Sequence, residues 1–146
     1  MVTELCRDDR IIGTLQPASV PTTTIPRPLH PRLVDFGVAV CRAVRTVRRD
    51  TAGVNIARQL VRASMSPAAS YAEAKGSESM QDFVHKLQIC IKEMRETLVW
   101  LEAADRLGYT KPPRSAELRR ECMELVAILV ASVNTTKKRL AGSNSA

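Results

Sequence analysis

Asp82 and His85 stand three residues apart in this 146-residue chain, a spacing that puts a carboxylate and an imidazole on one face of a helix. Di-iron bundles use such pairs, but they need a Glu-x-x-His on each of two helices and two further carboxylates. The other histidine, His30, lies in a proline-rich stretch, so His85 is read as the one histidine of the folded region and no second pair completes a site. Asp82 is better accounted for as a helix cap, with His85 and Lys86 on a solvated or inter-subunit face. Glu73, Glu93 and Glu96 could serve as a general acid and base, yet such a pair needs a pocket, and an aliphatic helical core of this size leaves little room for one. Structural polar contacts are expected for them, including a Lys92–Glu96 pair one helical turn apart. Cys6, Cys41, Cys90 and Cys122 are scattered without a C-x-x-C pair, which argues against zinc. Three of them fall on apolar stripes, as reduced, cytoplasmic thiols do. With no nucleophile–base set and no metal quartet, neither an enzyme nor a cofactor is expected.

The cations are more suggestive. Lys and Arg number 22 against 15 Asp and Glu, a net charge of +7, and the isoelectric point is near 9.7. Arg42, Arg45, Arg48 and Arg49 lie close together, Arg58 and Arg62 follow, and Arg119, Arg120, Lys137, Lys138 and Arg139 come later. Such a set can attract the phosphates of a nucleic acid, in a salt-sensitive manner and without sequence readout. Solubility alone also accounts for a charge of this size. Tyr71 and Trp100 could stack on bases as in single-strand binders, but aromatics make up only 3% of the chain, and burial in the core or at a subunit contact is the expectation for both.

The elements that must position these residues are helices. Hydrophobic residues make up 45% and charged residues 25%, the proportions of one globular domain. Pro17, Pro21, Pro26, Pro28 and Pro31 make residues 1–31 an extended or disordered tail. No secretory leader is expected from an N-terminus carrying Glu4, Asp8 and Asp9, and the apolar patch Leu125–Val133 is too short to cross a bilayer. Apolar residues then recur every three or four positions in four segments, predicting helices over about 32–49, 54–75, 79–107 and 115–140, with residues 141–146 frayed. Pro67 falls inside the second helix and predicts a kink near residues 64–67 rather than a termination, Gly76 a left-handed closing residue, and Ser79 with Asp82 a capping box. Gly108 and Tyr109 predict a Schellman ending before Pro112 and Pro113, and Ser115 the N-cap of the last helix. The second helix carries two apolar stripes, Ile56, Leu60 and Ala63 on one and Val54, Ala57, Val61, Ala68 and Tyr71 on the other, which means two packed faces. The fold class is all-α, a single antiparallel up-down-up-down four-helix bundle.

Residues 66–101 carry more than a generic bundle. Ser66-Pro67-Ala68-Ala69-Ser70-Tyr71-Ala72-Glu73-Ala74, then Asp82-Phe83-Val84-His85-Lys86-Leu87, then Ile91-Lys92-Glu93-Met94-Arg95-Glu96-Thr97 and Trp100-Leu101 resemble the bacterial four-helix bundle proteins related to the large-subunit ribosomal-RNA intervening-sequence protein. The resemblance is close over the second and third helices and only one of pattern over the first and fourth. Ser70 stands where those proteins usually have Asn, which keeps a hydroxyl but loses the amide fork. The resemblance implies a fold-building role for Pro67, Tyr71, Glu73, Asp82, Phe83, Lys86, Glu93, Glu96 and Trp100. It also implies a cytoplasmic ring of identical subunits, typically a pentamer. A sister group in diversity-generating retroelements implies an alternative, an accessory protein that binds a reverse transcriptase and nucleic acid. The leading expectation is a non-enzymatic homo-oligomeric scaffold that binds RNA or a ribonucleoprotein through arginine-rich surfaces; the alternative is a protein-interaction adaptor.

Overall fold

The computed structural model describes residues 27–143, so most of the expected proline-rich tail lies outside the described residues. Four helices follow: α1 over Leu29–Ala43, α2 over Thr51–Lys75, α3 over Met80–Arg106 and α4 over Pro112–Ser143. No strand occurs among the described residues. Each helix packs on the next and α1 returns to α4, closing the bundle. Cross-helix contacts fix the antiparallel sense. On α2 and α3, Arg62 meets Glu93 and Glu96 while Glu73 meets Lys86. On α3 and α4, Met94 meets Cys122 and Asp105 meets Arg119. The α1–α2 and α3–α4 links therefore share one end of the bundle.

The core is the aliphatic one that the composition predicts: Leu33, Phe36 and Val40 from α1, Ile56 and Leu60 from α2, Leu87, Met94 and Leu101 from α3, and Leu125 and Leu129 from α4 are all buried. Each of these side chains stabilises the fold by about 1.5–3 kcal/mol through removal of apolar surface from water.

Several ends differ from the expected ones. Helix α1 begins at Leu29, not Arg32, because Pro31 falls in its first turn, where a missing N–H breaks no bond. It stops at Ala43 and tightens into a 3₁₀ turn over Val44–Thr46, so Arg48 and Arg49 belong to the link. Helix α2 starts at Thr51, three residues before the expected Val54, capped by Asp50. For the same proline reason α4 starts at Pro112. Ser115 is therefore a buried first-turn residue and not the N-cap. Residues 141–143 are helical rather than frayed. Gly76 closes α2 at φ −96°, outside the left-handed region expected of it. Pro67, fully buried, does not terminate α2, which agrees with its reading as an interior proline.

Other local signals hold. The Ser79 hydroxyl accepts from Asp82 N–H at 3.0 Å, which is the N-cap half of the expected capping box. Gly108 has φ +68°, and the Tyr109 N–H reaches the Ala104 carbonyl while the Gly108 N–H reaches that of Asp105. That is the expected Schellman pair.

Candidate nucleic-acid interface

The first link is held by Asp50. Its Oδ1 accepts the Gly53 N–H at 2.8 Å, capping α2, and both carboxylate oxygens accept from the Tyr109 hydroxyl of the other link at 2.8 and 2.7 Å. These donors hold the Asp50 carboxyl below its usual range, the Gly53 amide first, and the same contact pushes the Tyr109 phenol up. Gly53 is required where it stands: a Cβ there would lie 1.8 Å from the Arg48 carbonyl oxygen. Beneath them, Asp105 receives Thr110 and Arg119; burial raises its carboxyl, and polar contacts that include the Thr110 hydroxyl and the Arg119 guanidinium more than offset this.

Around that frame Arg42, Arg45, Arg49 and Arg58 are exposed, and none has a carboxylate partner among the described residues. Arg49 and Arg58 border an open hollow of about 450 Å³ with Asp50, Thr51, Val54 and Asn55. Arg48 differs in pairing with Asp50 at 3.4 Å. The structure does not unite the whole expected set. Lys137, Lys138 and Arg139 are exposed near the far end of α4, opposite the links. Arg120 is exposed on the first turns of α4, at the link end, while Arg119 is drawn to Asp105.

Arg62 is not a free cation. It bonds Glu93 at 3.1 Å and also Glu96, which in turn accepts the Trp100 indole N–H at 3.1 Å. Arg62 and then Trp100 hold the Glu96 carboxyl below its usual range. Glu96 thus takes its direct ion pair from another helix, while Lys92, its expected partner one turn away, adds a weaker Coulombic pull. Two more family-motif residues meet where Lys86 lies 3.7 Å from Glu73 and 3.9 Å from Asp82. Phe83 and Tyr71 pack against the core. On the α1–α4 side Arg32, which the sequence reading passed over, grips Glu121 through three contacts of 2.8–3.0 Å and Glu124 at 3.1 Å. A cation one helix away from two carboxylates leaves no local spacing signal. His85 is exposed, and it is not the only folded histidine, since His30 sits in α1 and stacks on Tyr71 with ring centres 6.4 Å apart. Among the described residues no three His, Cys, Asp or Glu side chains converge as a metal site, and no helix is long and apolar enough to cross a membrane.

Two faces of the bundle expose apolar side chains. Val34 of α1 with Val54, Val61 and Met65 of α2 make one; Val99 of α3, 62% exposed, and Met123 of α4, 55% exposed, belong to the other. The second stripe expected on α2 is therefore left partly exposed at Val54 and Val61.

The profile of the family described as 23S rRNA-intervening sequence protein matches residues 32–131. Among solved structures, a protein of unknown function from the S23 ribosomal protein family of Bacteroides thetaiotaomicron superposes with a TM-score of 0.68 at 24% identity. The superposition covers 73% of this chain and 98% of that one, a likeness of fold. No curated protein matches the chain.

Proposed function

The chain belongs to the 23S rRNA-intervening sequence protein family, and on that premise we propose that it is a non-enzymatic, self-assembling helical scaffold that holds RNA or a ribonucleoprotein. The observation that carries this reading is the gathering of Arg42, Arg45, Arg49 and Arg58 at one end of the bundle without carboxylate partners. A guanidinium whose charge is not spent internally is free to neutralise a phosphate and release its counterion. Self-assembly is supported by the two apolar faces. They differ from each other and lie on different helix pairs, so one copy can offer its α3–α4 face to the α1–α2 face of the next. Such head-to-tail contacts close into rings when the rotation permits, and the pentamer is one such ring. In a ring each basic end is repeated, so weak attraction per subunit is multiplied by avidity.

The test is light scattering coupled to size exclusion, with absorbance followed at nucleic-acid and protein wavelengths, and then a salt titration of the protein with a structured RNA. A multimer that retains RNA at low salt and releases it steeply as salt rises is the expected result. A monomer would remove the scaffold, and absence of RNA binding at low ionic strength would remove the RNA half.

A further inference from the structure

We infer that the link end of the bundle takes nucleic acid as a double helix, by its paired rows of phosphates, and not as a single strand. The inference rests on the RNA reading above and deepens it.

Proteins that bind single strands offer rings on which unpaired bases stack, and that stacking offsets the cost of ordering a flexible strand. This chain has two Phe, two Tyr and one Trp, and each packs against the core. Phe36 is buried. The Tyr71 ring is stacked on His30, the Trp100 indole is tied to Glu96 and the Tyr109 hydroxyl is tied to Asp50. None of the five rings stands fully exposed as a platform on which a base could stack.

What the surface does present is positive charge carried on an ordered backbone. Arg42 ends α1 and Arg45 follows it in the 3₁₀ turn; Arg49 leads into the Asp50 cap, and Arg58 lies two turns into α2. Their backbones are held by helix bonds and by the Asp50–Gly53–Tyr109 contacts, so the four side chains start from fixed points while their guanidiniums can reach for phosphates. A duplex offers phosphates at fixed spacing, so only the arginine side chains have to be ordered, whereas a single strand would add the cost of ordering its own backbone. The hollow between Arg49 and Arg58 adds the Thr51 hydroxyl and Asn55 amide as further phosphate donors. The one carboxylate on its wall, Asp50, already accepts from Gly53 and Tyr109 and pairs with Arg48.

The experiment measures binding of the full chain at low salt to a labelled RNA hairpin of about 16 base pairs and to an unstructured single strand of equal length. The hairpin should bind at least about tenfold more tightly, and its salt dependence should be steep. R49Q and R58Q should weaken hairpin binding and flatten its salt dependence by about one ion each, while K137Q with K138Q changes it less; circular dichroism checks that each variant is folded. A single strand bound as tightly as the hairpin overturns this inference and leaves the RNA reading standing. Hairpin binding unchanged in folded R49Q and R58Q also overturns it. Binding of neither RNA overturns both.

Discussion

The hydroxyl of Tyr109 lies 2.8 and 2.7 Å from the two carboxylate oxygens of Asp50, joining the α1–α2 link to the end of α3 across 59 residues of sequence. Asp50 is also the cap of α2, so one carboxylate sets the helix start and ties both links.

Stability should fall in acid through this group. Its folded pKa lies below the ordinary value of 3.8, so its contribution is present above that value and is lost as pH falls through the folded one. Urea midpoints followed from about pH 6 to about pH 2 should drop in the parent chain. D50N should have a lower midpoint at neutral pH and a shallower drop, with Glu96 and Asp105, whose carboxyls are also held low, supplying the remainder. Y109F should lower the neutral midpoint without removing the cap. A D50N profile parallel to the parent's would show that Asp50 contributes nothing in acid.

Gly53→Ala and Gly142→Ala should move stability in opposite directions. A Cβ at Gly53 would sit 1.8 Å from the Arg48 carbonyl, so the link must shift, at about 1–3 kcal/mol. At Gly142 a Cβ meets nothing within 4 Å, and alanine near a helix end should add at most about 1 kcal/mol. Denaturant unfolding of both variants checks the pair.

Two thiols should be inert in the folded protein. Burial pushes Cys90 up to about 11 and Cys122 up to about 12, and the thiols donate to the carbonyls of Pro67 and Met94. Alkylation at neutral pH followed by peptide mass spectrometry should label half-buried Cys41 and spare both until denaturant is added. Labelling of Cys90 or Cys122 at the rate of Cys41 would contradict this burial.

Arg62→Ala should separate the two kinds of arginine. Arg62 is committed to Glu93 and Glu96, so its loss should lower the unfolding midpoint and leave RNA affinity unchanged, whereas R49A and R58A should do the reverse. Thermal unfolding and RNA titration on the same preparations distinguish them.

The helices and several of their ends were legible because the signals are local. The periods through Leu87, Met94 and Leu101, the Ser79 cap and the Gly108 ending depend on residues within a few positions of one another. The starts of α1 and α4 were not. Pro31, Pro112 and Pro113 read as breakers, whereas in a first turn their missing N–H groups have no intrahelical partner to lose.

The amino-acid sequence by itself determined four amphipathic helices, their antiparallel order and a basic surplus, because hydrophobic period, short links and charge are properties of neighbouring residues. Only the tertiary structure decided which charges remain free. Rotation of α2 against α3 spends Arg62 on Glu93 and Glu96, and α1 against α4 spends Arg32 on Glu121 and Glu124. Antiparallel packing then sends Lys137, Lys138 and Arg139 to the end opposite Arg42, Arg45, Arg49 and Arg58. Electrostatic partnership is set by distances across helices, and no spacing along one chain segment encodes it.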